Sequence, residues 1–201
     1  MFGWLPNLLD AAQRGGHSPV ESNALLIQWG AVLGASLVAA GWDLRSRRIP
    51  NLLTLPLFFT GVAWNVAFAG LGGAASSLGG ALIAALPFVL LYVYVGGGAG
   101  DAKLMGAVGA WLGLAQGVAV LLLVVIAGAV LGLAQAAWQK KFRYTTGRMG
   151  QLAQVWLGSI AVGQRPVVAP LDNTAPLQMP YGVSIFSGVA LAALGVMLWN
   201  A

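Results

Sequence analysis

The chain has 201 residues, ten basic and five acidic, for a net charge of +5, and only 7% of its residues are charged. Soluble domains carry about a quarter charged residues, so this composition and a mean hydropathy of +0.82 exclude an ordinary soluble domain. The absence of cysteine removes disulfide and thiolate chemistry, and a lone histidine, His17 in a polar Gly-Ser-Pro stretch, argues against a metal site or a resident cofactor.

Apolar runs near or above ~18 residues predict an all-α polytopic membrane protein. Residues 1–24 read as a short N-terminal arm, with an interfacial segment over Phe2–Leu9 anchored by Trp4. A membrane-embedded domain over residues 25–201 follows. Six transmembrane helices are predicted in it: Leu25–Trp42, Leu52–Leu71, Leu78–Val95 with a kink at Pro87, Ala102–Leu114, Gly117–Trp138 and Tyr181–Trp199. The first run lacks a cleavage pattern and reads as a retained span. The segment 139–179 reads as a long polar loop, with an interfacial helix over about 149–160 from the spacing of Leu152, Val155, Trp156 and Ile160.

Small residues recur at helical spacing, at Gly106, Gly109, Gly113 and again at Gly128 and Gly132, which predicts close helix–helix approach. Arg45, Arg47, Arg48, Lys103 and the basic residues after Trp138 fall on one side of a six-span arrangement. The excess of positive charge makes that side cytoplasmic and puts both termini outside. Basic residues that adjoin spans suit anionic lipid headgroups and not nucleic acid.

Two of the five acids, Asp43 and Asp101, stand where apolar segments meet polar ones. An ionisable group at the edge of hydrocarbon is costly and marks a functional site by default; the structural alternative is a helix-end charge facing headgroups. Two carboxylates sharing a proton can hold a water, one as general base and the other as acid. Ser36 and Ser46 flank Asp43 without a histidine to activate them. The run Gly96–Gly100 lets backbone approach a peptide or a facing helix; its amides would also suit a phosphate, although no GxxxxGK pattern accompanies them. Arg48 and Lys103 read either as topology-setting charges or as partners of a carboxylate or an acidic substrate residue. Asn51 reads as a loop cap or a substrate contact, and Pro50 as the residue that fixes the turn.

The segment Asp43-x-Arg45-x-x-Arg48-Ile49-Pro50-Asn51 resembles the first-aspartate motif of type IV prepilin peptidases, and Gly98-Ala99-Gly100-Asp101-x-Lys103 is similar to their GxGD motif. The resemblance covers about residues 25–200, with a last helix opened by Met-Pro-Tyr-Gly (Met179 to Gly182). It implies a GxGD-type membrane aspartic protease with Asp43 and Asp101 as the catalytic pair, shaped by Gly98, Gly100, Arg48, Pro50, Asn51 and Lys103. It further implies a prepilin or pilin-like substrate, cleaved behind its short basic leader at the cytoplasmic face of a bacterial inner membrane. The 24 residues before the first span and the missing cysteines depart from bifunctional members. They resemble instead short, peptidase-only members tied to Flp or Tad pili, without methyl transfer. The competing readings are a non-catalytic membrane scaffold or transport component, or a membrane protease for another substrate. The sequence sets no oligomeric state.

Overall fold

The computed structural model describes residues 19–95, 98–138 and 181–199. They form four α-helices: α1 (Pro19–Ser46), α2 (Asn51–Val95), α3 (Ala99–Trp138) and α4 (Tyr181–Trp199). All four are long and apolar enough to cross a membrane. Large apolar side chains such as Leu37, Phe59, Leu71, Leu122 and Leu198 face outward. In water such a surface would drive aggregation; in a bilayer it meets lipid tails. The chain is a multi-pass membrane protein.

Four such helices, not the six expected, are found among the described residues. The stretches read as ends of spans, 71–77 and 114–116, contain neither proline nor charge, so helical bonding resumes at once on the far side. Each expected break shrinks to one residue: Gly70 in α2 (φ 57°) and Gly113 in α3 (φ 71°). Positive φ with ψ of −139° and −172° lies in or near a region open essentially to glycine, where a residue with a Cβ would be strained by ~1–3 kcal/mol. Both bends are sharp. Residues eight apart stand about 12 Å from one another along a straight helix, yet Gly73 packs against Asn65, and Gly117 against Gly109. At Pro87, where a kink was expected, the backbone keeps helical dihedrals.

The core centres on α3 between Asp101 and Gly113, where every residue but Lys103 is buried. A helix that is apolar all round can bury itself in protein or in lipid; here its glycines and alanines make room for the neighbouring helices, which enclose it. Gly106 faces Ala81 and Ala85, and Gly109 meets the Gly80 backbone and Ala84. A Cβ on Gly80 would stand 2.5 Å from the Gly109 carbonyl oxygen, so the α2–α3 crossing is a backbone-to-backbone contact. Farther along α3, Val120 and Val124 pack with Ile185 and Val189 of α4 in the same core.

The bend at Gly113 frees backbone groups at membrane depth, where each must find a partner. Asn65 Nδ2 donates to the carbonyls of Ala110 (2.9 Å) and Trp111 (3.1 Å). Ser77 Oγ donates to Ala110 O (2.7 Å), and Gln28 Nε2 to Trp111 O (2.6 Å). On the other side of the bend, Leu114 N donates to Ser76 Oγ (3.1 Å).

The first helix begins at Pro19, ahead of the expected Leu25, so the last residues of the predicted arm belong to α1. The interfacial segments expected over Phe2–Leu9 and 149–160, and the loop 139–179, lie outside the described residues.

Candidate active site

Asp43 sits in the last full turn of α1. That helix ends in a left-handed cap at Arg47 (φ 52°), whose N–H donates to Asp43 O at 2.8 Å. Ser46 Oγ secures the same turn through Trp42 O (2.8 Å) and Arg48 O (3.3 Å). The chain then runs through Ile49, which is buried, to Pro50, whose carbonyl accepts from Leu53 N (3.1 Å) and Thr54 N (3.4 Å) and starts α2. Pro50 thus fixes the entry to a helix, in line with its expected place in the turn.

Asp101 sits in the first turn of α3. Its N–H donates to Gly98 O (3.3 Å), and its carboxylate curls back so that a Cβ on Gly98 would lie 2.5 Å from Oδ2. Gly100 faces Ile49, where a Cβ would come within 3.0 Å of the Ile49 Cβ. The turn after α1 therefore seats its one apolar side chain on the glycine just before Asp101. This contact brings the two motifs together.

Both carboxylates are buried, each with 8% of its surface exposed, and they lie within electrostatic reach of each other. Tyr181, at the start of α4, lies within electrostatic reach of Asp101. Four helix ends thus converge: the C-terminal end of α1 and the N-terminal ends of α2, α3 and α4. The bend at Gly70 is what lets α2 both begin and end near the start of α3.

The other motif residues divide. Lys103 Nζ donates to Asn51 Oδ1 (2.8 Å), a bond between exposed side chains that ties the start of α3 to the start of α2. Asn51, expected as a loop cap or substrate contact, spends its side-chain oxygen on this tie. Arg45, Arg47 and Arg48 are exposed and rim the same end of the molecule as the aspartates.

Two residues at the site were missed by reasoning from the sequence. Gly182 N donates to Asp43 Oδ2 at 2.9 Å, across 139 positions of chain. Its neighbour Tyr181 was likewise passed over. The Met-Pro-Tyr-Gly opening of the last helix was visible, but nothing local in it says which carboxylate it meets.

Comparison with known proteins identifies relatives of this chain. A model of the Type IV leader peptidase family matches residues 30–133, more than half of the chain and a stretch that contains both aspartates. A Prepilin leader peptidase/N-methyltransferase of Burkholderia pseudomallei is 35% identical over 134 residues, covering 61% of this chain and 41% of that protein. Proteins of the same description from Aeromonas hydrophila (39% over 122 residues; 55% and 38% covered) and Xanthomonas campestris pv. campestris (34% over 108 residues; 50% and 38%) also match. The chain spans about two fifths of the length of these relatives. No solved structure matches it. With more than half of its length matched, and the two aspartate motifs brought together at one end of the helices, the chain belongs to the type IV leader peptidase family.

Proposed function

We propose that this protein is an aspartic endopeptidase that removes the short basic leader from prepilin or pilin-like proteins, with Asp43 and Asp101 as its catalytic pair. The observation that carries this reading is that two buried aspartates, at the end of α1 and the start of α3, lie within electrostatic reach of each other where Ile49 seats on Gly100, in a membrane protein otherwise almost free of acid.

A water held between the carboxylates is the nucleophile. The ionised carboxylate takes a proton from it as its oxygen bonds to the scissile carbonyl carbon, and the protonated carboxyl gives its proton to the carbonyl oxygen. Collapse of the tetrahedral intermediate breaks the C–N bond. The proton taken from water passes to the departing amine, and the hydroxyl proton of the intermediate returns to the carboxylate that supplied it. Like charges this close disfavour double ionisation, so the pair begins each cycle with one proton between them.

The missing side chain of Gly98 leaves room for the Asp101 carboxylate, that of Gly100 seats Ile49, and the Lys103–Asn51 tie holds the start of α3 against α2. The exposed rim of Arg45, Arg47 and Arg48 supports a place for this end of the molecule at the cytoplasmic leaflet of the bacterial inner membrane. Anionic headgroups there neutralise both the rim and a basic leader, and the substrate's apolar helix supplies most of the affinity. The proposed activity is peptide cleavage without the methyl transfer that the relatives' description includes.

The test is processing of a co-expressed prepilin by Asp43→Asn and Asp101→Asn variants. Each should abolish cleavage while the protein still inserts and folds. Cleavage at the normal rate by either variant would refute the catalytic pair and return the chain to the scaffold or transport reading.

A further inference from the structure

Buried carboxylates are effective only when their oxygens are aimed, because a loose rotamer spreads the reacting atom over ångströms and loses the advantage of proximity. Asp101 stands in the first turn of α3 with its carboxylate folded back over Gly98. Asp43 lies on an α1 turn whose backbone bonds run to Arg47 and whose side chain needs an outside support. That support comes from α4. Gly182 is the second residue of α4, so its N–H is among those at a helix start that have no acceptor within the helix. It donates to Asp43 Oδ2 at 2.9 Å, in a buried position.

Close approach makes the bond possible. A Cβ on Gly182 would lie 2.9 Å from Asp43 Cβ, 3.1 Å from Oδ2 and 3.3 Å from Ala40 Cα. Asp43 Cβ and Ala40 Cα are fixed to the backbone of α1, so the carboxylate is the one group of the three that could yield by itself. Any larger residue at 182 has to push α4 away from α1 or turn the carboxylate.

We propose that Gly182 is a positioning residue of the active site: its N–H commits Asp43 Oδ2 as an acceptor and leaves Oδ1 as the oxygen that works on water, and its missing side chain is what allows α4 to come this close. The inference rests on the catalytic pair proposed above. It adds that the last helix, far away in sequence, takes part in the reaction through a backbone group.

The decisive variant replaces the 181–182 amide by an ester, with glycolic acid introduced at position 182 of the full chain by cell-free translation into vesicles. It deletes the N–H and adds no atoms. Loss of a hydrogen bond to a charged group should lower kcat ~10-fold or more, and KM for a prepilin peptide should stay within about twofold, since the amide touches Asp43 and not substrate. Gly182→Ala should lower kcat at least as far, counted per folded molecule, which covers the case of an ester that inserts poorly. Gly195→Ala, on the same helix with open space around its Cβ, should behave as wild type.

A wild-type kcat for the ester, with Asp43→Asn and Asp101→Asn inactive, would overturn the role of Gly182 and leave the pair standing. A raised KM at unchanged kcat would also overturn it, by making the amide a substrate contact. Activity retained in the Asn variants would instead remove the pair.

Discussion

The bend at Gly113 depends on side chains donating to backbone, and the dependence can be measured. Ala110 O receives two side-chain donors, Asn65 Nδ2 and Ser77 Oγ, so either can be lost while the carbonyl stays bonded. Asn65→Leu removes donation to three carbonyls, those of Gly61, Ala110 and Trp111. At ~0.6 kcal/mol for a hydrogen bond inside a membrane protein, this variant should lose about 1–2 kcal/mol, and Ser77→Ala about 0.6 kcal/mol. The double variant leaves Ala110 O without either donor in a buried setting, which adds a penalty of ~1 kcal/mol or more beyond the sum. A double-mutant cycle, read by reversible unfolding in mixed micelles of increasing denaturing detergent, should therefore give a coupling of ~1 kcal/mol. Ser187, which donates to Val183 O within α4, supplies the control, and Asn65→Leu with Ser187→Ala should add without coupling. Additivity within ~0.3 kcal/mol for the Asn65–Ser77 pair would refute the shared carbonyl as the reason these residues stand where they do.

Other consequences are reached with simpler measurements. Arg47→Gly, which frees a left-handed position from a residue with a Cβ, should raise stability by ~1 kcal/mol in the same unfolding assay; a loss would mean that the arginine side chain does more than cap α1. Gly109→Val should cost several kcal/mol by forcing the α2–α3 crossing apart at Gly80, and cross-linking between cysteines placed on the two helices should fall with it. Prepilin cleavage in vesicles should rise with anionic lipid content and level off as headgroup charge matches the basic rim. Rates indifferent to lipid charge would remove the headgroups from the account.

The aspartates were legible because acid is so scarce here that a carboxylate at a span boundary stands out, and because each carries flanking residues that set it in a turn. Their meeting followed from less visible choices. Ile49 reads in sequence as one more apolar residue in a basic turn, yet its seat on Gly100 joins the two motifs. Span counting failed at Gly70 and Gly113, because hydropathy sees an apolar run become polar or rich in small residues, whereas helical bonding is interrupted only where a dihedral departs. Gln28, Asn65, Ser76 and Ser77 were passed over by a search for charge alone. Their signal was present nonetheless: a polar amide or hydroxyl within an apolar run has to bond something, and backbone freed by a bend is the commonest need at that depth.

The two carboxylates are held in different ways, with a consequence for how the site responds to change. Asp101 begins the buried stretch of α3 that ends at Gly113. That stretch is fixed at its far end by the donors from α1 and α2, along its length by backbone contact at Gly80, and at its near end by Gly100 on Ile49 and Lys103 on Asn51. Among the described residues, Asp43 is held by its own helix cap and by one amide from α4. Several small supports in parallel tolerate the loss of any one, whereas a single hydrogen bond does not. Substitutions around the Gly113 bend should therefore register first as lost stability, and at Gly182 first as lost turnover. In the proposed pair Asp43 is the more vulnerable member, because the amide that bonds its carboxylate belongs to a helix 139 positions away in the sequence.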